Sequence, residues 1–104
     1  MRIDEMGSKE NPVMLMFPGS FCSAKSMEPF AALLAEDNYL IMVTLDGCDG
    51  TGTDYVSNDD MAKKVLKKVQ DRNVKHIRML YGISMGAANA LQFLQYAQKN
   101  GIQI

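Results

Sequence analysis

Hydrophobic positions along the chain fall into short continuous runs separated by longer segments of helical period. Val13–Phe17 (VMLMF), Tyr39–Leu45 (YLIMVTL) and Lys75–Tyr81 (KHIRMLY) have strand length. Runs, rather than alternations, are what a parallel sheet covered on both faces requires. Arg2–Met6 alternates instead, and Gly7–Pro12 (GSKENP) is a cluster of turn residues. After Pro18-Gly19 a loop of small residues runs to about Lys25. The pattern then predicts a helix over Ser26–Ala35, with Ser26 as N-cap and Glu28 and Pro29 in the first turn. Phe30, Leu33 and Leu34 fall at i, i+3 and i+4 and predict its apolar stripe.

The second half of the chain continues the alternation. Asp46–Thr53 (DGCDGTGT) is a glycine-rich loop, and Ser57–Asp60 reads as a capping box with Asp in place of Glu. The helix it opens runs to about Arg72, with Met61, Val65 and Val69 on one side and Lys63, Lys64, Lys67 and Lys68 mostly towards water. Gly82 ends the third run. Ser84–Lys99 forms a long helix that stops at Asn100-Gly101, and Ile102–Ile104 has the character of a strand's first residues. There is no internal repeat and no linker. Strand–helix alternation of this kind predicts an α/β layered fold with parallel strands and right-handed crossovers.

Composition narrows the function classes. Hydrophobic residues make up 47% and charged residues 22% of 104 residues, ordinary globular usage that excludes a disordered polymer. Eleven Lys+Arg against twelve Asp+Glu leave a net charge of −1, so no basic surface points to nucleic acid or anionic lipid. No apolar run approaches the 18 or so residues of a membrane span. The polar, mixed-charge opening Met1–Pro12 does not resemble a secretory signal. Two cysteines, Cys22 and Cys48, make no disulfide framework and predict a reducing, cytoplasmic setting with free thiols. The nine methionines, among them Met14, Met16, Met42 and Met79, occupy places where Leu or Ile would serve and read as core filler.

Candidate chemistry concentrates at Gly82-Ile83-Ser84-Met85-Gly86. A G-x-S-x-G pentapeptide alone is weak, but here it joins a strand to a helix, as a nucleophile elbow requires. Such an abrupt turn strains the serine backbone and leaves no room for side chains two residues either way. With the strand Val13–Phe17 and the Phe17-Pro18-Gly19-Ser20-Phe21 segment behind it, the sequence resembles the α/β-hydrolase family of serine esterases, lipases and acyl transferases. Pro18-Gly19 stands where that family commonly has His-Gly. The resemblance runs from Arg2 to Ile104. It implies a partial, doubly wound, mostly parallel sheet with helices on both faces, the N-terminal half of the family's fold, as a single domain incomplete at its C-terminus. It also implies Ser84 as nucleophile, with the N–H groups of Ser20 and Met85 as the oxyanion hole. The expected chemistry is hydrolysis of a small ester-like substrate through an acyl-serine, without metal or cofactor.

The family's acid and histidine follow the nucleophile helix, and the sequence given ends at Ile104. Its one histidine, His76, falls at the opposite end of its strand from Ser84, on the order of 20 Å away at 3.3 Å per residue. Asp46 and Asp49 read as solvated loop residues or turn caps, and Lys25 as a remote candidate for a Ser–Lys pair. The spacing in 46–54 fits neither a calcium loop nor a dinucleotide fingerprint. The expectation is a form that is inactive alone. It would leave the edge of the Lys75–Tyr81 strand open, predicting a homodimer. The alternatives are a non-catalytic binding or assembly module using that edge, and a flavodoxin-like small domain.

Overall fold

The computed structural model describes residues 1–19, 24–48, 50 and 54–104. Four strands form one sheet in the order β1-β3-β2-β4. β2 (Val13–Phe17) is central and entirely buried, parallel to β3 (Tyr39–Thr44) on one side and to β4 (Ile77–Gly82) on the other. β1 (Arg2–Met6) closes the far side, antiparallel to β3. Among the described residues the sheet carries α1 (Glu28–Leu34) on one face and α2 (Asn58–Asp71) and α3 (Met85–Lys99) on the other. This is the layered α/β sheet that the apolar runs predict, in the partial, mostly parallel form that the resemblance implies.

The runs are continuous because successive side chains leave a strand on opposite faces and both faces are covered. Val13, Leu15, Phe17, Ile41 and Val43 point into the larger core with Met61, Val65, Val69 and Phe93. Met14, Met16, Leu40 and Met42 point into a thinner layer under Met27 and Ala31. Methionine is concentrated in that thin layer. Its unbranched side chain suits the irregular space under a single short helix.

α1 departs from the expected boundaries. A 3-10 turn, Ala24–Met27, precedes it and takes in Ser26, so the residue at the N-cap is Met27, without a side-chain cap. The buried side is set by Met27 and Ala31, with Phe30 and Leu34 half-buried. Leu33 is 70% exposed and is not part of the stripe. The helical repeat counted from Met27 reaches residues 30, 31 and 34, which turns 33 outwards.

α2 follows the expectation closely. The Ser57 side chain accepts from the Asp60 N–H at 3.0 Å. Asp60 turns its own carboxylate to Lys64, 3.2 Å away. At the other end Arg72 donates to Glu5 of β1 and holds that carboxyl below its ordinary range. β4 is less buried than its composition suggests, with Met79 52% exposed, because it lies at the sheet's edge. It starts at Ile77 rather than at Lys75. His76 instead bridges Gln103 in parallel, so 102–104 begins to run beside β4.

Asp46 corrects the reading of a solvated loop residue. It is 1% exposed and bonded both by Lys64 Nζ, at 2.5 Å, and by the terminal ammonium of Met1. Burial pushes its pKa up, but the two cations outweigh that, and the net shift is downward. A carboxyl lowered in the folded state adds stability that is present above its unfolded pKa, about 3.9, and is lost as pH falls through the folded value. Asp46→Asn should therefore lower stability at neutral pH by on the order of 1–3 kcal/mol. The deficit should shrink as pH is brought below 4. Urea denaturation across that range checks both expectations, and a pH-independent deficit would refute the assignment.

Candidate active site

The chain turns from β4 into α3 within two residues. β4 ends at Gly82 and α3 starts at Met85, so Ile83 and Ser84 make the whole connection. Ser84 sits at φ 55°, ψ −120°, a left-handed conformation that L side chains rarely adopt. The turn is closed by Gly86 N–H donating to the Ile83 carbonyl at 2.8 Å and Ala87 N–H to that of Ser84 at 3.0 Å. The Ser84 residue is exposed beyond the C-terminal end of the strand.

The flanking glycines are required by space. A Cβ on Gly82 would lie 2.6 Å from the Gly86 carbonyl oxygen and 2.8 Å from the Ala87 backbone. A Cβ on Gly86 would lie 2.2 Å from the Pro18 carbonyl oxygen and 2.7 Å from that of Phe17. The first turn of α3 therefore rests directly on the end of β2. A Cβ on Gly19 would meet Ile83 Cγ2 at 3.8 Å, so the segment leaving β2 runs beside the elbow. The Met85 N–H stands at the first position of α3, where helix donors have no intrahelical acceptor. Among the described residues no backbone carbonyl takes it. Ser20, the other expected donor, lies outside the described residues.

Other candidates are not brought to this corner. His76 precedes β4 and Ser84 follows it, so six residues of strand, about 20 Å, separate them. Asp46 is occupied by its two cations. Lys25 is exposed in the 3-10 turn. Cys48 is a half-buried free thiol, whereas Cys22 and Asp49 lie outside the described residues. No group of three His, Cys, Asp or Glu suited to a metal ion occurs among the described residues.

Sequence reasoning missed Asn89. It is fully buried on α3, donates through Nδ2 to the Met85 carbonyl at 2.9 Å, and accepts from the Tyr55 hydroxyl at 3.3 Å. It thereby ties the segment before α2 to the first turn of α3. The available signal was a polar residue interrupting the apolar set Gly86, Ala90, Phe93 and Ala97.

No protein-family model matches the sequence, and no curated protein matches it significantly. Solved structures do. A protein from Desulfitobacterium hafniense assigned to the α/β hydrolase family superposes with a TM-score of 0.87 at 20% identity, over 93% of this chain and 40% of the other. A protein from Acinetobacter baumannii assigned as a lipase gives 0.79 at 25% identity, over 97% and 34%. A type II thioesterase of the yersiniabactin biosynthetic pathway gives 0.79 at 20% identity, over 97% and 43%. The fold is therefore that of the α/β hydrolases, in part. The chain spans 34–43% of the length of these three structures.

The strain at Ser84 and the crowding at Gly86 make opposite predictions. Ser84→Gly removes a non-glycine residue from a left-handed conformation and should stabilise the fold by about 1 kcal/mol. Gly86→Ala should destabilise it by about 2–4 kcal/mol, because the obstacle is backbone of β2 and cannot rotate away. Chemical denaturation of both variants tests the pair. A neutral Gly86→Ala would mean that helix and strand do not touch.

Proposed function

We propose that these residues carry the nucleophile corner of a serine acyl hydrolase acting on a small ester or thioester. The observation that supports it is Ser84 held at positive φ between two sterically obligatory glycines, in a fold shared with hydrolases, a lipase and a thioesterase. In this reading Ser84 Oγ attacks the substrate carbonyl carbon and the carbonyl π electrons move onto oxygen. The N–H groups of Met85 and Ser20 stabilise that oxyanion, each worth about 2.7–4 kcal/mol. Collapse of the tetrahedral intermediate expels the alcohol or thiol and leaves an acyl-serine, which water then hydrolyses.

The Ser84 hydroxyl proton has to go to a base as Oγ attacks. His76 stands at the wrong end of β4 and Asp46 is already paired. On its own the chain should thus turn over esters about 10⁴–10⁶-fold more slowly than a complete triad, keeping what an oxyanion hole and substrate binding supply. The flavodoxin-like alternative loses ground to the antiparallel β1 and to the likeness above.

A fluorophosphonate probe tests the nucleophile independently of turnover. The expected result is slow labelling that maps to Ser84 by mass spectrometry, accelerates when imidazole is added as an external base, and vanishes in Ser84→Ala. A folded protein that takes no label at residue 84 even with imidazole would overturn the reading.

A further inference from the structure

The first turn of α3 is held from outside the helix. Met85, its first residue, carries an N–H without an intrahelical acceptor, so the helix ladder alone does not aim it. A helix start is ordinarily fixed by a side chain at the N-cap, and Ser84 in that position makes no side-chain cap bond. Below the turn, Gly86 rests on the end of β2. Behind it stands Asn89.

Asn89 is fully buried one turn into α3, and its Nδ2 donates to the Met85 carbonyl at 2.9 Å. Its Oδ1 accepts from the Tyr55 hydroxyl at 3.3 Å, and the same hydroxyl contacts Asn58 Oδ1 on the first residue of α2. These contacts run without a break from the start of α2, through Tyr55 and Asn89, to the backbone of the elbow.

Met85 lies between two rigid amide planes. One carries its N–H together with the Ser84 carbonyl, which accepts from Ala87 N–H at 3.0 Å and from Ala88 N–H at 3.4 Å. The other carries the Met85 carbonyl, and Asn89 holds it. With both planes held, the Met85 N–H keeps one direction. An oxyanion donor is effective because it is aimed before charge develops. A side chain that fixes its aim therefore acts on the rate without touching substrate.

We infer that Asn89 and Tyr55 are positioning residues for the Met85 N–H, tying the oxyanion donor to the start of α2. This rests on the roles proposed above for Ser84 and Met85. The seam between α2 and α3 supplies its own control. Tyr96 donates to Asp59 of α2 and so joins the same two helices, but eleven residues beyond Met85, about 16 Å along the axis.

The test is the rate of fluorophosphonate labelling at Ser84 with imidazole as external base, followed against probe concentration. As Oγ bonds to phosphorus, fluoride leaves and imidazole takes the hydroxyl proton, while the phosphoryl oxygen takes the place of the oxyanion. Asn89→Val should lower the limiting rate by about 10–100-fold and leave the half-saturating probe concentration unchanged. Asn89→Thr, of the same shape, should recover most of that loss, because a helical threonine hydroxyl bonds the carbonyl four residues back. Tyr55→Phe should slow labelling by less than Asn89→Val, and it keeps the test open if the substitutions at 89 unfold the chain. Tyr96→Phe, which also removes one hydroxyl bond between the helices, should label at the unaltered rate. Equal rates for the Val and Thr variants, or a Tyr96→Phe protein slowed as much as Tyr55→Phe, overturn the inference and leave Ser84 a nucleophile. An unaltered protein that takes no label overturns the nucleophile reading itself, and the positioning role with it.

Discussion

The contact between Gly86 and the end of β2 constrains more of this structure than any other. With no side chain at 86, the backbone of α3 comes down onto the Phe17 and Pro18 carbonyls, closer than any Cβ would permit. Since β4 runs beside β2 and must deliver the chain to that spot, only two residues remain for the connection. Within that short connection the left-handed conformation falls on Ser84. Packing below the turn explains strain within it. Phe17 and Phe93, with ring centroids 6.2 Å apart, hold the same two elements together one layer deeper in the core.

The two faces of the sheet are filled unequally, and the balance of the fold follows. α2 and α3 together seal the face that carries Leu15, Phe17, Ile41 and Val43. Among the described residues the opposite face is covered by a seven-residue helix and the 3-10 turn before it, and methionines fill what they leave. The cover thins towards β4, where Phe30 reaches Tyr81 with ring centroids 5.8 Å apart while Met79 lies largely open.

What was legible in the sequence depended on how local the determining physics is. Val13–Phe17 and Tyr39–Leu45 declare buried strands because an uninterrupted apolar run has few other uses, and Ser57 with Asp60 states a helix start within four residues. At the elbow Gly82 answers to contacts within the turn, whereas Gly86 answers to distant β2 and was legible only through its place in the pentapeptide. The phase of α1 was not local. Whether Leu33 or Ala31 faces inward depends on where Met27 is anchored, and the 3-10 turn that anchors it has no distinctive composition. Asp46 was misread for a similar reason: its partner Lys64 is eighteen residues away, on the far side of a glycine-rich loop. Asn89 was legible in principle, as a polar residue inside an apolar stripe, but the Tyr55 hydroxyl that justifies it lies thirty-four residues earlier.

Strain at Ser84 differs in kind from the crowding at its neighbouring glycines. The tight turn itself calls for glycine at 82 and 86, where a side chain has nowhere to go. At 84 space is not the obstacle, because the residue is exposed; only the backbone angle disfavours a side chain, by on the order of 1–3 kcal/mol. Asparagine, which tolerates left-handed angles, occupies the other such non-glycine position among the described residues, Asn73. A serine at 84 brings no such tolerance. Its hydroxyl is the feature that glycine lacks, held at the end of the strand beside the first amide of α3. Two different constraints thus meet in one turn: backbone contact at 82 and 86, and backbone angle at 84.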